Sequence, residues 1–194
     1  MTVAAVLRTI TGLLDASQIR YMVVGSFASS LHGEPRTTHD LDIVIDPTHD
    51  QLEELLRRIP AGYYVDHDVA RDALATRSMF NVIDPDTAWK VDLIVRKARP
   101  FSIGELARRA RATIDGIDVF VASAEDTAIA KLEWAKEGGS DRQIDDVHRL
   151  LAVQQGNLDG EYLATWIREL GLEAEWAKAT GPAHSRPPLS RSSP

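Results

Sequence analysis

The chain contains no cysteine, which excludes disulfide bonds and thiolate zinc sites. No apolar run approaches the roughly 18 residues of a membrane-spanning helix, and no secretion signal is visible, so we expect a cytoplasmic protein without a membrane partner. Aromatic residues make up only 6% of the sequence. Basic residues are fewer than acidic ones, 22 against 29, and the net charge of −7 argues against a protein that coats nucleic acid broadly.

The 194 residues, 44% of them hydrophobic, suffice for one domain with a helical appendage. Residues 1–122 alternate between strand and helix patterns, which predicts an α/β (α+β) core with a small mixed β-sheet flanked by helices. From Ser123 the pattern is helical, so residues 123–179 are predicted to form a C-terminal helical part. Residues 180–194 are rich in proline, serine and arginine and are predicted to be disordered.

Periodicity and turn residues also give the individual elements. Helices are predicted over residues 2–16, 27–31, 48–59, 102–111, 124–136, 141–153, 159–170 and 172–179. Strands are predicted over residues 19–24, 41–45, 79–83 and 89–95. Asp115-Gly116 predicts a tight hairpin between two further short strands. Residues 63–77 show little periodicity and stay unassigned.

Two carboxylates, Asp40 and Asp42, stand at the start of an apolar strand, Ile43-Val44-Ile45. Side chains two apart on a strand share a face, so these carboxylates lie about 6–7 Å apart and repel each other unless a cation lies between them. Mg²⁺ takes carboxylates, water and phosphate oxygens as ligands, which predicts a magnesium site. The alternative is an ordinary turn, where aspartate is common.

A Gly25-Ser26 turn follows the apolar run at residues 21–24. Glycine allows close backbone approach to a ligand, and a helix that begins at this turn presents free N–H groups to an anion. The pair therefore predicts a phosphate-binding turn, with a plain strand-to-helix connection as the alternative.

A third carboxylate, Asp92, lies inside the apolar strand Val91-Asp92-Leu93-Ile94-Val95. A lone aspartate is costly to bury, so it needs a partner there. The alternative is an exposed residue of an edge strand, paired with Lys90 or Arg96. If the three carboxylates converge, two Mg²⁺ (or Mn²⁺) ions about 3.5–4 Å apart fit between them, and phosphoryl or nucleotidyl transfer is the chemistry such a pair supports.

Each residue then has an expected role in that chemistry. Asp40 and Asp42 bridge both metals, while Asp92 holds the metal near the attacking hydroxyl and accepts its proton. Gly25 and Ser26 bind the terminal phosphates of the nucleotide. Arg36 contacts a phosphate or, equally well, one of the clustered acids.

Gly25-Ser26 and the run from Arg36 through Asp40-Leu41-Asp42 to Ile45 resemble the signature of the DNA polymerase beta-like nucleotidyltransferase superfamily. More narrowly, they resemble the AbiEii-type nucleotidyltransferases of toxin–antitoxin and abortive-infection systems. The strand around Asp92 is similar to the third-carboxylate strand of that group, and residues 123–146 are similar to its downstream helical motif. The resemblance covers about residues 20–152.

This resemblance implies a metal-dependent transfer of a nucleoside monophosphate from an NTP to an acceptor hydroxyl, on RNA such as transfer RNA or on a protein. It implies that Lys131 lies near the triphosphate and that Asp145 supports the site. An antitoxin partner and a homodimer belong to the same expectation. From the residues alone, Lys131 also fits a solvated surface lysine, and Asp145 also fits a local ion pair with Arg142.

Two other functions stay open at this point. One is a nucleotide-binding regulator or antitoxin-like partner without turnover, and the other is a small-molecule (aminoglycoside-type) nucleotidyltransferase. Six basic residues against one acid between Arg96 and Arg111 form a candidate landing surface for RNA or polyphosphate, although a solvated helix accounts for them as well.

Overall fold

The computed structural model describes residues 3–33 and 40–181, and these ranges hold nine helices and seven strands. The helices are α1 Val3–Ala16, α2 Gly25–His32, α3 His49–Arg58, α4 His67–Thr76, α5 Pro100–Arg108, α6 Ala124–Gly138, α7 Asp141–Gln154, α8 Gly160–Glu169 and α9 Glu173–Thr180. The strands are β1 Arg20–Val23, β2 Asp40–Asp46, β3 Tyr64–Val65, β4 Met79–Asp84, β5 Trp89–Val95, β6 Ala110–Ile114 and β7 Ile117–Val121.

The seven strands form one mixed sheet in the order β3-β4-β5-β2-β1-β7-β6. Strand β2 pairs in parallel with β5 and antiparallel with β1, while β1 pairs in parallel with β7. Parallel pairing of β2 and β5 brings together two strands that lie far apart in the sequence. The predicted α/β class with a mixed sheet is confirmed.

The alternating sequence of β2 gives the sheet two different faces. Leu41, Ile43 and Ile45 are fully buried and pack in the main core, which α1, α3 and α4 cover. The opposite face carries Asp40, Asp42 and then Val44, so its apolar part begins only farther along the strand. There Val44 packs with Met22 of β1 and Leu106 of α5.

The structure corrects two parts of the element prediction. The unassigned segment contains the short strand β3 and the helix α4, which Asp66 caps by accepting hydrogen bonds from the backbone N–H groups of Asp68 and Val69. The helix predicted over residues 102–111 ends at Arg108, because the next residues pair with β7 as strand β6. The hairpin at Asp115-Gly116 is confirmed, and both residues have positive φ, as this turn requires.

Helix α6 begins at a cap that the sequence indicates. The hydroxyl of Ser123 accepts a hydrogen bond from the backbone N–H of Asp126 at 3.1 Å and donates one to its carboxylate at 2.9 Å. Ser123 is thus the N-cap residue, but a full capping box is not formed, because the Asp126 carboxylate accepts from the hydroxyl of Ser123 and not from its backbone N–H. The cap fixes the start of the helix that carries Lys131.

The four C-terminal helices pack around a hydrophobic cluster of their own. Leu132, Val147 and Leu150 lie at its centre, and Phe101 of α5 joins it against Trp166. Trp166 and Trp176 pack on this cluster, whereas Trp134 is 61% exposed and does not belong to a core. The predicted disordered tail lies, from residue 182 onward, outside the described residues.

The helices of the described ranges are all too short or too polar to pass through a lipid bilayer. This result agrees with the absence of a long apolar run in the sequence.

A buried glutamate, Glu105 of α5, lies where α5 meets α6. Burial raises its pKa to about 8, and the carboxylates of Asp126 and Glu133 act in the same direction. The charges of Arg99 and Lys97 oppose the shift. The carboxyl of Glu105 is therefore mostly protonated at neutral pH, unlike an ordinary surface glutamate.

Glu105→Gln is expected to make folding stability less sensitive to a rise in pH between 4.5 and about 8. The folded wild type holds a proton that the unfolded chain releases between the ordinary pKa of 4.5 and about 8. Wild-type stability therefore falls as pH rises through that window, by up to about 5 kcal/mol, and the variant avoids this loss. Urea unfolding at pH 5, 7 and 9 measures the difference. A gain of equal size at all three pH values, or an equal gain from the exposed control Glu169→Gln, would contradict the prediction.

Candidate active site

The Gly25-Ser26 turn brings the backbone of β1 directly against Asp42. The N–H of Val24 donates a hydrogen bond to the carbonyl oxygen of Asp42 at 2.9 Å, and Gly25 follows with a φ of +62°. A Cβ atom at Gly25 would lie 2.0 Å from the Oδ2 atom of Asp42, so only glycine fits. Helix α2 begins at Gly25, and Ser26 lies in its first turn, where backbone N–H groups are free to bind an anion.

The three predicted carboxylates lie on one face of the sheet. Asp42 of β2 is in register with Asp92 of β5, and Asp40 is in register with Lys90. Residues in register on neighbouring strands about 4.8 Å apart point to the same side of a sheet. The sheet therefore brings Asp40, Asp42 and Asp92 together beside the glycine turn.

The alternative interpretation of Asp92 as an exposed edge residue is wrong. Strand β5 lies between β4 and β2, and Asp92 is only 6% exposed. The amide of Asn81, its partner in register on β4, donates a hydrogen bond to Oδ1 of Asp92. The Nζ atom of Lys90 lies 3.0 Å from Oδ2 of Asp92 and 3.8 Å from Oδ1 of Asp40.

Negative charge at this site is only partly neutralised. Burial, helped by the neighbouring carboxylates of Asp92 and Asp40, raises the pKa of Asp42 to about 6, while the ammonium groups of Lys90 and Lys131 oppose the shift. A raised pKa means that the ionised form of Asp42 lacks sufficient positive partners. A divalent cation would supply the missing charge.

The chemistry of these donors fits a hard cation such as Mg²⁺ or Mn²⁺, because all three are carboxylates. Within the described ranges, no three acidic or histidine side chains converge closely enough to hold a metal ion as they stand. The Lys90 ammonium contacts two of the three carboxylates. Residues 34–39, which include the predicted phosphate-binding residue Arg36, lie outside the described residues.

Lys131 is a buried residue of α6, so the interpretation as a solvated surface lysine is wrong. Its Nζ atom donates hydrogen bonds to the carboxylate of Asp146 at 2.8 Å and to the side-chain oxygen of Gln143 at 3.0 Å. Its ammonium is near enough to Asp42 to lower the pKa of that carboxyl, although this effect is smaller than those of burial and of the neighbouring charges. Helix α2 packs against α6 and β2 and lies beside this group.

The acid that faces Lys131 is Asp146 and not the predicted Asp145. Asp146 is buried against Lys131, whereas Asp145 is exposed. Adjacent residues of a helix point about 100° apart, so the two acids of this pair cannot both face Lys131. Arg149, one turn later, forms the second ion pair of Asp146 at 2.7 Å.

Residues 1–171 of this chain match the model of one protein family, the nucleotidyltransferases of unknown function (DUF6036). The chain belongs to this family. It is therefore a nucleotidyltransferase, an enzyme that transfers a nucleoside monophosphate. No curated protein sequence matches it.

Solved structures similar to this nucleotidyltransferase share its fold at low sequence identity. The antibiotic-resistance factor ANT(2'')-Ia superposes with a TM-score of 0.57 at 15% identity, covering 89% of this chain and 95% of that one. An antigenic nucleotidyltransferase-like protein from Paracoccidioides brasiliensis gives 0.52 at 21%, covering 88% and 90%. The lincosamide antibiotic adenylyltransferase LnuA in its lincomycin-bound form gives 0.50 at 12%, covering 76% and 95%.

Three arginines in the basic segment of the nucleotidyltransferase pair with acids of the same protein. Arg96 pairs with Asp46 at 3.0 Å, and Arg99 forms a two-pronged pair with Glu133 at 2.6 Å. Arg108 lies over the ring of Tyr162 and pairs with acids of α6. Three of the six basic residues between residues 96 and 111 therefore have acidic partners in the protein, and a landing surface for RNA or polyphosphate in this segment stays a prediction.

Sequence reasoning did not assign Asn81 and Asp146 to the nucleotidyltransferase site, and it named Lys90 only as a partner of an exposed Asp92. The signal for Asn81 was the hairpin between β4 and β5, whose pairing places it beside Asp92. The signal for Asp146 was the burial pattern of α7, since Ile144, Val147 and Leu150 define its inner face. Both signals depend on contacts across elements that a single sequence does not specify.

Proposed function

We propose that this nucleotidyltransferase transfers a nucleoside monophosphate from an NTP to a hydroxyl group of an acceptor and releases pyrophosphate, with Mg²⁺ as the metal. The supporting observation is that Asp40, Asp42 and Asp92 share one face of the sheet, beside the turn at Gly25. The raised pKa of Asp42 also indicates that positive groups do not fully balance the negative charge on this face.

The residues have distinct roles in this proposal. Asp40, Asp42 and Asp92 would hold the divalent cation, which neutralises phosphate charge when it is bound. The backbone N–H groups at the start of α2 and the hydroxyl of Ser26 bind the terminal phosphates. Asp92 accepts the proton of the attacking hydroxyl.

Lys131 stabilises the negative charge that the triphosphate brings to the site. Its ion pair with Asp146 and its hydrogen bond to Gln143 hold the ammonium in position. A positioned charge of this kind loses little free energy to reorganisation when the nucleotide binds.

We infer that a small, positively charged acceptor suits this chain better than RNA. Arg96, Arg99 and Arg108, three of the six basic residues between residues 96 and 111, already pair with acids of the protein, which weakens the feature that favoured RNA. The carboxylates of Asp40, Asp42 and Asp92 attract cations, and the net charge of the whole chain is −7. Among structures of similar fold, ANT(2'')-Ia has been crystallised with adenylyl-2''-tobramycin, the adenylylated form of an aminoglycoside.

The AbiEii-type likeness supports a second candidate, a toxin that modifies transfer RNA or a protein and is neutralised by an antitoxin. A regulator without turnover is the third, and the presence of all three carboxylates on one sheet face counts against it. Growth arrest on expression that depends on Asp42 would favour the toxin. Tight NTP binding without pyrophosphate release would favour the regulator.

Incubation with each α-labelled NTP and Mg²⁺ tests the proposal. The acceptors are an aminoglycoside panel, a lincosamide panel, total RNA and total cell protein, each in a separate reaction. We expect label on one acceptor class, with release of an equal amount of pyrophosphate and no reaction in EDTA. Absence of labelled product and of pyrophosphate with every acceptor and every NTP would contradict the proposed activity.

A further inference from the structure

The side chain of Lys90 occupies the space that the carboxylates share. Lys90 precedes Asp92 by two residues on β5 and is in register with Asp40 on β2, so all three residues project from the same face. Its ammonium lies 3.0 Å from one of these carboxylates and 3.8 Å from the other. It is therefore in direct contact with two of the three groups proposed to hold the metal.

Lys131, a second lysine near the site, has its own partner. Lys131 donates to Asp146 at 2.8 Å, and Asp146 lies on α7, outside the carboxylate group of the sheet. Lys90 is thus the lysine that directly pairs with the site carboxylates in the described part of the chain. A divalent cation bound by the same oxygens would lie within a few ångströms of this ammonium and would repel it.

We propose that Lys90 is an internal counter-cation, which holds the metal-free carboxylates together and must leave them when the divalent ion binds. This inference rests on the proposed function, because it concerns the same metal. It assigns Lys90 as a positioning residue that sets metal affinity, and not as a catalytic residue.

The side chain is suited to this movement. A lysine has a flexible four-carbon stem and a single charged end, and the Lys90 side chain is 39% exposed, so its ammonium can turn outward into water. An arginine at the same position would grip a carboxylate with two parallel hydrogen bonds and would be harder to displace. Metal binding therefore replaces the Lys90 ammonium by the divalent ion. Without the metal, the ammonium keeps the three carboxylates from lying side by side with no cation.

Lys90→Met and Lys90→Arg test the inference, with Lys178→Met as a matched loss of one exposed lysine on α9. Isothermal titration with Mg²⁺ and Mn²⁺ gives the dissociation constants, and thermal unfolding in EDTA and in Mg²⁺ gives Tm. We expect Lys90→Met to bind metal about tenfold more tightly than wild type, because a repelling charge is gone. In EDTA its Tm should fall by about 3–8 °C, and Mg²⁺ should restore most of it.

Lys90→Arg should keep the Tm in EDTA and bind metal more weakly than wild type, and Lys178→Met should change neither quantity. If the wild type binds Mg²⁺ and Lys90→Met binds it equally or more weakly, the inference about Lys90 is overturned, while the proposed function stands. If Lys90→Met does not fold, equal metal affinity of Lys90→Arg and wild type would overturn it. A wild type that binds no divalent ion would overturn both the inference and the proposed function.

Discussion

Asp42→Asn is expected to reduce nucleotidyl transfer by at least about a thousandfold while the protein becomes more stable without metal. Asp42 is the middle of the three carboxylates and is in register with Asp92, so its loss removes charge from the centre of the proposed metal site. Electrostatic groups of this kind contribute several kcal/mol to a transition state. Initial rates of pyrophosphate release at saturating NTP measure the effect.

The gain in stability follows from the raised pKa of Asp42. An acid whose pKa rises from 3.8 to about 6 on folding costs stability, and this cost grows as pH rises through that interval. The asparagine side chain carries no charge, so Asp42→Asn should raise the free energy of unfolding by about 2 kcal/mol at about pH 7.5 in EDTA and the Tm by a few degrees.

The same variant should gain nothing from Mg²⁺, which stabilises the wild type by binding it. Asp50→Asn, a fully exposed position on α3, is the matched control and should change neither rate nor Tm. Full turnover by Asp42→Asn would rule out the metal assignment. A lower Tm in EDTA would instead show that Asp42 is well compensated in the metal-free protein.

The carboxylates could be predicted because their information is local. Alternation along β2 places Asp40 and Asp42 on one face, and the apolar residues around Asp92 identify its strand without any knowledge of the fold. What the local pattern cannot give is the order of the strands. The parallel pairing of β2 with β5, which puts Asp92 beside Asp42, forms over about fifty residues of intervening chain.

The errors at the site have the same origin. Asp145 and Asp146 are adjacent acids on a helix, and only the packing of α7 against α6 decides which one faces Lys131. Lysine is rarely buried without a partner, so the sequence alone suggests a surface position for Lys131. The ion pairs of Arg96, Arg99 and Arg108 could not be predicted either, because their acidic partners lie on other elements.

Gly25→Ala is expected to reduce activity by about a hundredfold or more and to lower the Tm by several degrees. Gly25 has a φ of +62°, a conformation that costs a residue with a Cβ about 1–2 kcal/mol. The added Cβ would also lie 2.0 Å from the Oδ2 atom of Asp42, so the turn or the carboxylate must move. Gly12→Ala on α1 is the control, because its Cβ would meet nothing within 4 Å and should slightly stabilise the helix.

A double-mutant cycle separates the two costs of Gly25→Ala. In an Asp42→Ala background the carboxylate is absent, so Gly25→Ala should cost only the penalty for its φ. In the wild-type background it should cost that penalty and the displacement of Asp42, and urea unfolding measures both differences. Equal costs in the two backgrounds would show that the turn relaxes away from Asp42, and that the glycine is required by the backbone conformation alone.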